Sequence, residues 1–128
     1  MQYKYFYGAQ AEQFSFYRIP KALFTEPNFR ELSTDAKVLY GILLDRMSLS
    51  LKNQWLDAQN KVYIIFTVEE IMDALNCANQ KATRLMVELE KQAGLIKRKR
   101  QGLGRPNLIY VKNFAATIND KSCEKGDS

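Results

Sequence analysis

Apolar positions along this chain fall into three stripes with helical spacing, followed by two short runs without it. The first stripe is Ala36, Leu39, Tyr40, Leu43, Leu44 and Met47, the pattern of a helix lying on a core. It opens at Ser33, a good N-cap, with Asp35 in the first turn against the helix dipole. The second stripe is Val68, Ile71, Met72 and Leu75; Thr67 and Glu70 form a T-x-x-E capping box ahead of it, and Asn76 is its stop. The third, Ala82, Leu85, Met86 and Leu89, predicts a helix over 80–92, ended by Gly94 as a left-handed cap. Only "NCAN" separates the second helix from the third, and two helices joined by so short a turn are the helix-turn-helix pattern.

After Gly94, "LIKRKR" and "NLIYVKNF" read as two strands joined by the glycine- and proline-containing "QGLGRP". A helix-turn-helix followed by a basic hairpin is a winged helix-turn-helix, an α+β fold. Between the first two helices, "QWLD" and "KVYIIF" flank "AQN" and predict another short hairpin with Trp55 packed inward. Ahead of the first helix, "FYRIPKALF" reads as extended, because Pro20 biases Ile19 away from helix. The first seventeen residues hold seven of the chain's fifteen aromatics. This extended N-terminal arm, residues 1–19, either covers its own core or is a strand or clasp between two subunits. The winged-helix domain spans 1–114. Residues 115–128, ending "NDKSCEKGDS", read as a polar, disordered tail and a linker to something absent here.

Composition narrows the function. A chain of 128 residues is one domain, and 46% apolar residues suffice for a core without staples. The longest apolar run, "VYIIF", is too short to cross a bilayer, and "MQYKYFYGAQ" has no secretory pattern. Cys77 and Cys123 fit no metal or redox spacing and read as free thiols of a cytoplasmic protein. There is no histidine, which removes the commonest general base and the Ser–His and Cys–His pairs. Gly102 and Gly104 make a lone GxG that leads into no helix. Glu69, Glu70 and Asp73 suit a first turn better than a metal ion. The expectation is a protein that is no enzyme, with no cofactor, metal or small-molecule substrate.

The net charge is +5, but residues 79–112 hold nine cations against two acids, a local excess of seven. One basic segment on an otherwise slightly acidic chain is the footprint of a nucleic-acid surface, although a solvated basic face has the same composition. Opposite the apolar stripe, the third helix shows Gln80, Lys81, Thr83, Arg84, Val87, Glu88 and Lys91. The N-terminal residues of such a helix contact base edges in the major groove. Glutamine pairs with adenine, arginine or lysine with guanine. Asn79, Gln80, Lys81, Thr83 and Arg84 are therefore the candidate base readers. Lys97, Arg98, Lys99 and Arg100 stand side by side with no acid adjacent. In a projecting wing both strand faces are solvated, so burial imposes no alternation and the cations await an anionic backbone. With Arg105 and Lys112 they are the candidate phosphate contacts, giving a salt slope of about 0.9 per contact. Arg105, at the loop, can instead enter the minor groove.

The pieces "FYRIPK", "LSTDAK-LYG-LLDRM-LS-KN", "VYI-FT-EEIM" and "GLI-RKRQG-G-P--IYVKNF" resemble the N-terminal domain of RepA_N-type plasmid replication initiators of low-GC Gram-positive bacteria. The likeness covers residues 3–114. It implies a winged-helix domain that binds repeated sequences (iterons) in the double-stranded DNA of a plasmid origin, usually as a homodimer. It also implies host replication proteins as partners of a separate C-terminal domain. Two other functions remain open on the residues alone. One is a transcriptional repressor on the same fold, and the other is a protein–protein adaptor whose basic wing is incidental.

Overall fold

The computed structural model describes residues 2–8 and 13–115. The order of elements is α1 (Ala22–Thr25), a 3-10 turn (Pro27–Phe29), α2 (Thr34–Lys52), α3 (Val68–Leu75), α4 (Asn79–Val87), a π-helical turn (Glu88–Gln92), β1 (Ile96–Lys99) and β2 (Leu108–Val111). This is an α+β architecture, with α2, α3 and α4 packed on one core and an antiparallel hairpin completing it. None of the described helices is long and apolar enough to cross a membrane.

The local signals work as expected. Ser33 Oγ accepts from the Ala36 N–H at 3.2 Å and caps α2. Both arms of the Thr67–Glu70 box are present. Asn76 adopts the left-handed conformation, φ 52°, that ends α3, and Gly94, φ 66°, closes the π turn. Leu39, Leu43, Ile71, Leu85, Leu89 and Ile96 are essentially sealed from solvent. Tyr40 is buried among them, its hydroxyl donating to the Lys112 carbonyl at 2.8 Å, and burial pushes its pKa up to about 12. That bond ties the end of β2 to the middle of α2.

Gly41 has a packing role. A Cβ there would stand 2.8 Å from Ile19 Cγ1 and 3.0 Å from the Arg18 carbonyl oxygen. The missing side chain lets the root of the arm cross α2 at close range. Beyond that root the arm leaves the core uncovered: Tyr3, Tyr5, Phe6, Phe14, Phe16 and Tyr17 are all half or more exposed. Phe6 meets Phe14 edge-on, with centroids 6.0 Å apart, so the two described pieces of the arm touch each other.

Four expectations need correction. The segment read as extended turns helical at Ala22–Thr25, two residues after Pro20, because a proline restricts the residue before it and not those after. The 54–66 hairpin is reduced to a single bridge, Leu56 with Val62. Trp55 stays 36% exposed and stacks on Tyr63 at 6.2 Å. The apolar residue of that segment that reaches the core is Ile64, which exchanges two 2.9 Å backbone hydrogen bonds with Ile109 and adds a third strand position beside β2. The third helix does not run uniformly to 92, since α4 gives way at Glu88 to a π turn in which the Ala93 N–H reaches the Glu88 carbonyl at 3.0 Å. Glu88, the first residue of that turn, faces inward. Glu88 is therefore no part of the solvent face; it is 8% exposed and accepts from the Ser33 N–H and hydroxyl, both at 2.9 Å.

The fourth correction concerns the wing. β1 pairs with β2 in the register Ile96 with Val111, Lys97 with Tyr110, Arg98 with Ile109 and Lys99 with Leu108. Residues directly opposite share a face, and Ile96 and Ile109 are buried. Alternation thus survives within the basic run. Arg98 turns to the core side, while Lys97 and Lys99 are exposed on the other. The expected linker at 115–128 lies outside the described residues apart from Ala115.

Candidate nucleic-acid interface

The exposed face of α4 is held outward by the burial of Ala82, Leu85 and Met86 on its other side. Asn79, Gln80, Thr83 and Arg84 are all exposed. Thr83 Oγ1 lies 3.5 Å from Asn79 Oδ1, one turn apart. No side chain caps the first turn, and it contains no acid. Its backbone N–H groups and the positive end of the helix dipole therefore point to solvent, an arrangement that favours an anion. Lys81 is the exception among the candidate readers, because its Nζ lies 2.6 Å from Asp35 Oδ2 at the start of α2. Both partners are largely exposed, and such a pair contributes about 0–1 kcal/mol.

Across a cleft of about 400 Å³, the start of α4 faces the wing loop. Asn79, Arg98, Arg105, Pro106 and Asn107 line it together with the start of α3, Thr67 to Glu69, over a floor that includes Met86 and Ile109. The loop is braced by Gln101 Nε2 donating to the Pro106 carbonyl at 2.8 Å and by the Arg105 N–H to the Gly102 carbonyl at 3.3 Å. Gly102 and Gly104 both have positive φ, which lets the chain turn this tightly. Leu103 is fully exposed at the tip. It was not singled out from the sequence. The signal was there, an apolar residue between two glycines in a turn, but it carries no charge to draw attention.

The six wing cations do not act as one group. Arg98 is committed inward: its backbone N–H donates to Glu90 Oε2 at 2.9 Å, and its Nε and terminal nitrogen both lie 2.8 Å from Glu90 Oε1. Burial pushes the Glu90 carboxyl up, but the Arg98 N–H, its guanidinium and the charges of Arg98 and Lys91 together hold it below its usual value of 4.5. The acid absent from the basic run in sequence is thus supplied by the π turn, which points Glu90 at Arg98. Arg100 is exposed beside the loop and Arg105 borders the α4 cleft. Lys97, Lys99 and Lys112 instead line a larger concavity, which meets the α4 cleft only at Arg98 and is closed on one side by residues 57–62. Asp57 holds that turn together, accepting from the Gln59 and Lys61 N–H groups and from the Tyr110 hydroxyl at 2.8–3.0 Å. The Lys61 N–H is the main reason its carboxyl sits below 3.8, against the opposing effect of burial.

Comparison with known proteins agrees with this geometry. The family model for the replication initiator protein A (RepA) N-terminus matches residues 15–125. A "41 kDa protein" of Lactobacillus helveticus is 30% identical over 103 residues, 80% of this chain; the chain spans only 28% of that relative's length. Among solved structures, one described as the N-terminal domain of a DNA-binding protein is 38% identical, covering 91% of this chain and 88% of that one, with a TM-score of 0.73. A Rep–DNA complex matches at 38% identity, 89% and 87% coverage and a TM-score of 0.73. A structure described as an MDR initiator matches at 40% identity, 91% of each chain and a TM-score of 0.70.

Proposed function

The chain belongs to the replication initiator protein A N-terminus family, and from that premise we propose that it binds double-stranded DNA at the iterons of a plasmid origin, in the cytoplasm, as the DNA-reading part of replication initiation. The start of α4 enters the major groove, with Gln80, Arg84 and Asn79 on base edges and Thr83 on a phosphate or a thymine methyl. Lys81 joins them when DNA draws it from Asp35, an exchange made easy by the exposure of that pair. Arg100 and Arg105 of the wing grip the backbone or the adjacent minor groove, where Leu103 is placed to meet the sugar edge.

One observation carries this assignment: an exposed, uncapped and acid-free first turn of α4 lies across a 400 Å³ cleft from Arg105. A neighbour of the same fold was solved as a Rep–DNA complex, which supports DNA as the partner. A homodimer suits repeated sites. Its support here is the arm, whose exposed aromatic rings are more apolar surface than a monomer ordinarily leaves in water. Host replication proteins are further partners in this reading, contacted by parts other than the α4 face and the wing.

Hydroxyl-radical footprinting on an origin fragment tests this directly. The expected result is a protected window recurring once per iteron, with the same window absent from a fragment whose iterons are shuffled. Uniform protection of both fragments would reduce the domain to a non-specific binder.

A further inference from the structure

Beyond the α4 face, the domain has a second basic concavity. It is about 930 Å³ in volume and lies between the 57–61 turn, the two wing strands and Met47 of α2. Lys61, Lys97, Lys99 and Lys112 border it, all exposed. Its one acid, Asp57, is already occupied on both oxygens by Gln59, Lys61 and Tyr110. The floor is apolar, formed by Met47 and Val62 beside the ring of Tyr110. That ring meets Tyr63 edge-on at 6.4 Å, and Tyr63 stacks on Trp55, so the aromatic surface is braced from behind.

We propose that this cleft binds single-stranded DNA, with phosphates on the lysine border and an unstacked base against Tyr110 and Val62. The chemistry selects a single strand over a duplex. Cations spaced around an apolar, aromatic floor are how proteins hold single strands without reading sequence. Duplex bases stay stacked inside the helix, and none could reach the floor. The border lysines favour a polyanion over an ordinary peptide, and the floor provides a surface for a base that a purely electrostatic site lacks. Because α4 and Arg105 lie in a different cleft, one domain can hold a duplex repeat and a released strand together, which is the requirement at an opening origin. The site does not depend on the duplex assignment, since it shares none of the α4 contacts.

The test is fluorescence anisotropy with a labelled oligo(dT) of about 20 nucleotides at low salt, with a repeat-bearing duplex as unlabelled competitor. The wild-type chain is expected to bind oligo(dT), with a salt slope of about 0.7 per phosphate contact, and to retain it when the duplex is added in excess. Lys97→Gln with Lys99→Gln, both on exposed side chains, should weaken oligo(dT) binding by about tenfold or more near 0.1 M salt while changing duplex affinity by less than about threefold. Tyr110→Ala should add a loss of roughly fivefold or more through stacking. Should Tyr110→Ala unfold, the lysine pair alone decides the matter. Absence of oligo(dT) binding would overturn the proposal, as would its displacement by duplex or an equal loss of duplex and oligo(dT) binding in the lysine variant. Failure of duplex binding with oligo(dT) binding intact would instead remove the α4 assignment and leave this site standing.

Discussion

Replacing Arg84 with alanine is expected to cost about 1–3 kcal/mol of binding to the cognate repeat, a loss of roughly tenfold to a hundredfold, with little change on a shuffled duplex. Gln80→Ala should act in the same way. Gln80 lies in the acid-free first turn of α4 and Arg84 one turn further on; both are exposed, and neither makes an ion pair among the described residues, so neither loss works through folding. Unequal losses on cognate and shuffled DNA separate a base contact from a phosphate contact. Arg105→Ala is the control, and it should weaken both duplexes alike and lower the salt slope by about one. If Arg84→Ala lost affinity equally for both duplexes, Arg84 would join Arg105 as a backbone contact.

The second large effect falls on stability. Glu90→Ala removes three short contacts to Arg98 and leaves the Arg98 N–H and guanidinium without their acceptor at the joint between the π turn and the wing. Hydrogen bonds to a charged group contribute about 1.5–3 kcal/mol each when lost from a partly buried site, and the partial exposure of Arg98 puts the total near 3 kcal/mol. At about 3–6 °C per kcal/mol for a domain of this size, Tm should fall by roughly 10 °C. The pH dependence carries a sign. Since the folded carboxyl lies below its unfolded value of 4.5, its stabilisation is present above pH 4.5 and is lost as pH falls through the folded value. Glu90→Gln should therefore be less stable than wild type at pH 7, with the gap narrowing in acid. A gap that held constant down to pH 3 would mean that the Glu90 charge adds nothing and that shape alone matters.

Much of this molecule was legible in the sequence because its signals are local. Ser33, the Thr67–Glu70 box, Asn76 and Gly94 each act on backbone within one turn, and all four do what their residue types dictate. The stripes of α2, α3 and α4 followed from spacing alone, and so did the turn between α3 and α4 and the pairing of the two wing strands. What sequence spacing could not give was set by partners distant along the chain. Glu88 was read on the outer face of its helix, but it is held inside by the Ser33 N–H and hydroxyl, 55 residues away. Lys81 was placed correctly on its helix, but its tie to Asp35 depends on how α4 crosses the start of α2. The four consecutive wing cations looked equivalent. Strand alternation with Glu90 on one side sorted them into one structural arginine, a pair of exposed lysines facing a different cleft, and Arg100, exposed where the strand gives way to the loop. The hairpin pattern put Trp55 inside, whereas Ile64 took the core position because its backbone bonds Ile109.

The most direct test of a sequence-reading α4 is fluorescence anisotropy of the domain against an iteron-bearing duplex and its shuffled version, each titrated at two salt concentrations. Tight binding to the iterons, at least about tenfold weaker binding to the shuffle, and a fall in both as salt rises are the predicted results. Equal affinity for the two duplexes would contradict the assignment and leave only a basic wing holding phosphate.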